Sequence, residues 1–317
     1  MRVAVIDIGS NTIKLLVAAR SAGGGIETVH FAVEEARIGR GLGGTLPTLA
    51  PDSIEHGRAA VARLLAVAQT FAPAQTVIVA TSAVRDAANG RDFADRILRE
   101  TGLTVRILTG QQEADTIGRG LGADPALVGA QDFYLFDLGG GSLECLEFRA
   151  RRAVQSVSVP LGCVRLTERC VTDPSAPLAA AARAAIAAAV REAFSGGEQA
   201  PFRFALPAPA TAVATGGTVT TVRAMFAAVH GQPLERNDTT VALAELEQLL
   251  AHTAALPLAA RRALPGLPAA RADVFPTALA TIIEVAKLAR VERLTHSFYN
   301  LRYGIADELL APGRSAP

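Results

Sequence analysis

The chain has 317 residues, 50% of them hydrophobic, which suits two domains of ordinary size with sizeable cores. Its net charge of +1 argues against a bulk nucleic-acid or membrane-surface binder, while leaving room for a local basic channel. Three cysteines, Cys145, Cys163 and Cys170, form no Cys-x-x-Cys pair, and they read as reduced, buried thiols of a cytoplasmic protein.

The chain opens directly on apolar runs at Val3–Ile6 and Ile13–Ala18, so no signal peptide is expected. Gly23, Gly24 and Gly25 suggest a hairpin loop before a strand near Thr28–Val33. Pro51 suits a first helical position, and Ile54, Val61, Leu64, Leu65 and Phe71 recur at roughly helical spacing. A strand at Val77–Ala80, a helix near Arg91–Glu100 ended by Gly102, a strand at Val105–Leu108 and a helix from Gln111 to about Gly118 follow. The glycine-containing stretch 118–131 is the expected crossing to a second lobe.

That lobe restarts with a strand at Phe133–Phe136 and another apolar run at Leu143–Phe148. It then reads as mostly helical, near Ala176–Phe194, Val219–His230, Leu243–Leu256 and Ala278–Val291. Pro201–Ala210, with its prolines, reads as a loop. Charges interrupt the Ala-rich segment, so no membrane span is expected. Strands followed by helices in each lobe imply mixed α/β layers. The expected domains are 1–126 and 127–317, with the last helix able to pack back on the first lobe.

A turn that occurs twice carries the chemistry. Asp7-Ile-Gly-Ser-Asn-Thr12 and Asp137-Leu-Gly-Gly-Gly-Ser142 share the order Asp, aliphatic, Gly, small, small, hydroxyl. Each lies between two apolar runs. Glycines let backbone N–H groups converge on an oxyanion. Asp7 and Asp137, at strand ends, could hold Mg²⁺ beside a phosphate. One such turn could be merely a tight hairpin; the pair favours function. A third turn, Thr215-Gly216-Gly217-Thr218, joins a short apolar run to a helix, a suitable but weak phosphate signal.

Gly39-Arg40-Gly41-Leu42-Gly43-Gly44 matches the dinucleotide fingerprint in letters only, because Thr45-Leu-Pro47 separates it from the next helix. It is expected to be a mobile loop, with Arg37 and Arg40 available for phosphate. Thr109 and Gln112 fit a capping box, and Glu113 is slightly better explained as helix-end charge than as a general base. Arg85, after the Val77–Ala80 strand, is either solvated or a phosphate clamp. Alternation puts Ser142 and Glu144 on one strand face, which makes Glu144 a candidate metal ligand or water-positioning group. His30, His56, His230, His252 and His296 have no metal spacing and are expected to be structural or solvated.

Together these motifs resemble the exopolyphosphatase and guanosine pentaphosphate phosphatase (Ppx/GppA) family. The resemblance rests on Ala4–Thr12, Thr81-Ser-Ala-Val-Arg85, Asp137–Glu144, Pro160–Glu168, Thr215-Gly-Gly-Thr218 and Arg271-Ala-Asp-Val274. It implies an α/β fold of two actin-like (ribonuclease H-like) lobes of the actin, sugar-kinase and Hsp70 superfamily around a central cleft. It also implies Mg²⁺-dependent hydrolysis of a terminal phosphoanhydride, with Mn²⁺ as the alternative ion. The substrate would be inorganic polyphosphate or guanosine pentaphosphate, and the protein a homodimer with neither nucleic acid nor membrane as partner.

On this resemblance the catalytic glutamate falls on Glu113 and the phosphate-contacting arginine on Arg85. The phosphate-binding positions are Gly9, Ser10, Asn11, Gly139, Gly140, Gly141, Ser142, Gly216 and Gly217. The metal positions are Asp7, Asp137 and Glu144. Gln112, Leu143 and Asn300 depart from the family's usual residues, and the chain resembles the short members that lack an HD-type domain. A kinase of the same superfamily and a non-catalytic nucleotide or phosphate sensor are the rival readings.

Overall fold

The computed structural model describes residues 1–42 and 47–311. Residues cluster into two units, Met1–Gly129 with the segment from Tyr299 onward, and Ala130–Phe298. The first unit contains β1 (Arg2–Ile8), β2 (Ile13–Arg20), β3 (Ile26–Glu34), α1 (Pro51–Gln69), β4 (Gln75–Ala80), α2 (Ser82–Asp86), α3 (Gly90–Thr101), β5 (Val105–Ile107) and α4 (Gly110–Gly122). The second contains β6 (Phe133–Leu138), β7 (Leu143–Arg149), β8 (Arg152–Val159), α5 (Cys163–Cys170), α6 (Ala180–Ala193), β9 (Ala210–Thr215), α7 (Gly217–Val229), β10 (Thr240–Ala242), α8 (Leu243–Ala254), α9 (Leu258–Arg262), α10 (Phe275–Leu288) and β11 (Val291–His296). The last helix, α11 (Leu301–Leu310), belongs to the first unit.

The two sheets repeat one plan. In the first, the order is β3-β2-β1-β4-β5: an antiparallel meander of β1, β2 and β3, extended by β4 and β5 parallel to β1. In the second it is β10-β11-β9-β6-β7-β8, with the same meander in β6, β7 and β8 and the same parallel extension through β9 and β11. Strand β10 adds an antiparallel edge. The central strands β1 and β6 are apolar on both faces, as strands covered on both sides must be.

The first core joins Ile6, Ile8, Leu15 and Val17 of the sheet to Val61 and Leu64 of α1. The second joins Tyr134 and Phe136 to α10, which is buried along most of its length through residues such as Leu279, Ile282 and Ile283. Most expected elements stand within a few residues of their predicted bounds, and no helix among the described residues is long and apolar enough to cross a membrane.

The four helices expected in the second unit are present as α6, α7, α8 and α10, and strands β8, β10 and β11, which were not expected, complete a six-stranded sheet. Only Ala289 and Arg290 separate α10 from β11, so spacing alone merges them. The chain turns at Arg290, held at a left-handed φ of 54°. The boundary between the units, at Gly129–Ala130, falls within the expected crossing 118–131, the first part of which is occupied by the end of α4 and a 3-10 turn at Pro125–Leu127. Gly120 sits within α4 because α11 approaches it closely. A Cβ there would lie 2.1 Å from the Asn300 carbonyl oxygen, and one on Gly304 would lie 2.0 Å from that of Thr116. These mutual close approaches place the last helix on α4.

Candidate active site

In the first unit the turn after β1 is closed by Gly9 N–H donating to the Thr12 carbonyl at 3.1 Å. Ser10, Asn11 and Thr12 are buried. The neighbouring segment packs onto this turn: Arg37 N–H donates to the Asn11 carbonyl and Gly39 N–H to that of Ser10, at 2.7 Å for the latter. Gly39 is required by proximity, since a Cβ would lie 2.6 Å from Ser10 Cβ. This part of the expected mobile loop is therefore fastened to the turn, and its remainder, residues 43–46, lies outside the described residues. Neither polar atom of the Asn11 side-chain amide has a hydrogen-bond partner among the described residues. A buried amide left so is costly unless a ligand satisfies it.

Short helix α2 ties this turn to the acid. At its start, Ser82 Oγ lies 3.2 Å from Ser10 Oγ. Near its end, Arg85 donates to Glu113 Oε2 at 2.7 Å and to the Leu108 carbonyl at 3.1 Å. Glu113 is buried on the first turn of α4, with 6% exposure. The capping box is present: Gln112 N–H donates to Thr109 Oγ1, and Thr109 N–H donates to Gln112 Oε1. Glutamine serves the box as glutamate would, so Gln112 is structurally complete. Glu113 takes no part in the cap and faces Arg85 instead.

Asp7 is held by a buried residue from the other end of the chain. Arg302 Nη1 donates to Asp7 Oδ2 at 3.0 Å, and the guanidinium lies over the Phe31 ring.

In the second unit the repeated turn closes identically, Gly139 N–H donating to the Ser142 carbonyl at 3.0 Å. Three glycine carbonyls are tied back to the start of α5. Cys163 N–H takes Gly139, Val164 N–H takes Gly140, and Arg165 Nε takes Gly141. In a trans peptide the following N–H points opposite to its carbonyl. The amides of Gly140, Gly141 and Ser142 are thus turned away from α5, as an anion-binding loop needs. Gly162 permits this approach, because a Cβ on it would lie 2.3 Å from Gly140 and Gly141 backbone atoms. Leu143 fills the core, which accounts for an aliphatic residue at that position.

Sheet register gathers oxygen side chains in one row across four strands: Thr215 on β9, Asp137 on β6, Glu144 on β7 and Ser158 on β8. Ser158 Oγ donates to Glu144 Oε1 at 2.7 Å. Thr215 is fully buried, and its hydroxyl has no partner among the described residues. A Cβ on Gly216 would lie 2.4 Å from Asp137 Oδ1, so only glycine fits against that carboxylate.

The row's hard oxygen donors suit Mg²⁺, which commonly takes one or two protein carboxylates and keeps several waters. Among the described residues, however, no group of three or more histidine, cysteine or acidic side chains gathers as a metal cluster. Of the residues expected to hold the metal, Asp137 and Glu144 are paired in register across β6 and β7, and Asp7 accepts from Arg302 within the first unit.

Cys145 and Cys163 are buried as expected, whereas Cys170 is partly exposed. Burial pushes the Cys163 thiol up to about 11 and Cys145 well above its ordinary value, which keeps both protonated at neutral pH. Sequence reasoning assigned no role to Ser82, Ser158, Gly162, Arg302 or Arg271. The last lies so close to Gly217 that a Cβ there would sit 2.2 Å from its Nη1. The motifs Pro160–Glu168 and Arg271-Ala-Asp-Val274 were the available signals for Gly162 and Arg271.

Residues 16–312 match the Ppx/GppA phosphatase family. The chain belongs to that family. It is 33% identical over 330 residues to exopolyphosphatase 2 of Mycobacterium tuberculosis, covering 96% of this chain and 97% of that relative. Its fold is similar to that of a Cytophaga hutchinsonii exopolyphosphatase, with a TM-score of 0.86, 24% identity and 98% coverage of both chains. An Aquifex aeolicus family member gives a TM-score of 0.77 at 23% identity, covering 99% of each chain. An exopolyphosphatase-like protein gives 0.83 at 26% identity, covering 98% of this chain and 99% of that one.

Proposed function

We propose that this chain is an exopolyphosphatase, hydrolysing the terminal phosphoanhydride of inorganic polyphosphate and releasing orthophosphate. The observation that carries this reading is the buried Glu113, held at 2.7 Å by Arg85 on a helix whose first residue touches the Ser10 turn. Glu113 orients a water molecule and takes its proton as the water oxygen attacks the terminal phosphorus. The bond from that phosphorus to the bridging oxygen breaks, and the shortened chain leaves. Arg85 orients Glu113 and contacts the phosphate.

The amides of Gly9, Ser10 and Asn11, with the Asn11 side chain, are phosphate donors. So are Gly139, Gly140, Gly141 and Ser142, together with the Gly216–Gly217 turn. Asp137 and Glu144 would hold Mg²⁺, which, when bound, neutralises phosphate oxygens. Asp7 stays outside that direct shell in this reading, because Arg302 already holds its carboxylate. Such a constellation supplies what phosphoryl transfer chiefly needs, positioning and charge stabilisation.

Within this proposal the two units are the actin-like, ribonuclease H-like lobes of the actin and sugar-kinase superfamily, acting in the cytoplasm as a homodimer. The repeated meander with its parallel extension supports that fold. Relatives named as exopolyphosphatases, over nearly the full length of both chains, support polyphosphate as substrate. The test is phosphate release from polyphosphates of several lengths and from guanosine pentaphosphate, with Mg²⁺ or with EDTA. Release from none of them refutes the hydrolase reading, and release from guanosine pentaphosphate alone moves the substrate.

A further inference from the structure

The second unit contains a chain of hydrogen bonds, buried at its Arg223–His296 step and partly buried beyond it, that ends at the Gly216 carbonyl. Arg223 is 2% exposed, and its Nη1 lies 2.8 Å from His296 Nδ1. His296 Nε2 lies 3.0 Å from Thr220 Oγ1, which lies 2.8 Å from the Gly216 carbonyl oxygen. The direction of each bond follows from donor chemistry. A guanidinium only donates, so His296 Nδ1 accepts. The neutral imidazole then carries its proton on Nε2 and donates it to Thr220. The Thr220 hydroxyl, already accepting, turns its own proton to Gly216.

The far end is equally fixed. Arg223 Nε donates to the Asp238 carbonyl, and Nη2 donates to those of Leu234 and Asn237. The Phe298 ring lies beside both Arg223 and His296.

We propose that Thr220, His296 and Arg223 are positioning residues for the phosphate turn at Gly216–Gly217. Gly216 has a φ of 87° and no side chain to anchor it. Its planar trans peptide makes the Gly217 N–H point opposite to the Gly216 carbonyl. Fixing that carbonyl therefore aims the N–H, one of the donors that α7 leaves without an intrahelical partner. The same peptide backs the Asp137 carboxylate, against which only glycine fits. The adjoining Thr215 hydroxyl, fully buried and without a partner among the described residues, marks the turn as a place where a polar ligand completes the structure. Burial and the Arg223 charge bring His296 down to about 3, so the direction of the relay holds throughout the physiological pH range.

This inference rests on reading the turn as part of an exopolyphosphatase site. Thr220→Val removes the hydroxyl while keeping the branched shape, and Thr220→Ser keeps the hydroxyl. A lost hydrogen bond that aims a ground-state binding group raises KM more than it lowers kcat. For Thr220→Val, KM for polyphosphate should rise roughly fivefold to tenfold, with kcat within about twofold of wild type. Thr220→Ser should restore KM to within about twofold. Both melting temperatures are followed, and long-range ¹H–¹⁵N spectra, assigned with His296→Gln, should show the Nε2-protonated tautomer in the wild type. An unchanged KM in Thr220→Val, an equal defect in Thr220→Ser, or an Nδ1-protonated imidazole overturns the relay while leaving the hydrolase standing. No phosphate release from the wild type overturns the hydrolase and the relay's role together.

Discussion

Asp137 and Glu144 face each other across the β6–β7 ladder, two buried carboxylates in register on neighbouring strands. Like charges placed so repel, by up to about 1 kcal/mol. A bound cation turns that repulsion into attraction. Glu144→Gln is therefore expected to melt about 2–4 °C above the wild type in EDTA. Mg²⁺ should then raise the wild-type melting temperature and leave that of Glu144→Gln unmoved. Equal Mg²⁺ responses in the two proteins would remove Glu144 from the ion site.

Glu113→Gln keeps an amide oxygen for Arg85 to bind but loses the base. Phosphate release should fall by ~10²–10⁴-fold, with the circular-dichroism melt close to that of the wild type. Full turnover in the purified variant excludes Glu113 as the base.

The buried Asp7–Arg302 pair predicts an asymmetric mutational cycle. Arg302→Met strands the Asp7 carboxylate and should cost about 3–5 kcal/mol in urea unfolding. Adding Asp7→Asn removes the stranded charge and should recover most of that loss. If the double variant is no more stable than the single, the pair is not the source of the effect.

His296 makes stability depend on acidity. Its folded value of about 3 lies below the ordinary histidine value because of burial and the Arg223 charge. Between those two values the unfolded chain binds a proton that the folded chain does not. The contribution is complete above the ordinary value and is lost as pH falls towards 3. Urea unfolding from pH 6 to pH 4 should show a slope of roughly 1.4 kcal/mol per unit from this residue, absent in His296→Gln. Matching slopes for the two proteins would show that His296 does not supply it.

Gly120 and Gly304 should tolerate no side chain. Gly304→Ala forces a methyl group against the Thr116 carbonyl and should destabilise the first unit by about 3 kcal/mol. An unchanged urea midpoint would show that α11 can shift at no cost.

The paired glycine turns were legible because everything that shapes them lies within a few residues. Alternation and apolar runs found β1, β2, β6 and β7, and the capping box at Thr109 was plain in four letters. Helix α11 and strand β11 were obscured, the one by a weak apolar stripe and the other by continuity with α10. The crossing at 118–131 was legible, but Gly120 lies inside α4, past the helix end expected near Gly118, because a glycine that admits a neighbouring helix looks, in sequence, like one that breaks its own.

By itself the sequence determined the α/β character, the paired turns and the residue types suited to phosphate and metal, since these follow from local periodicity and backbone freedom. Tertiary structure decided the partners. Asp7 meets Arg302 across 295 positions, Glu113 meets Arg85 across 28, and His296 meets Arg223 across 73. No local pattern specifies which distant charge is brought within hydrogen-bond reach; the packing of strands and helices does. Glu113 shows both parts: its position alone reads as helix-end charge, the family resemblance reads it as the base, and the structure adds its burial and Arg85 at 2.7 Å.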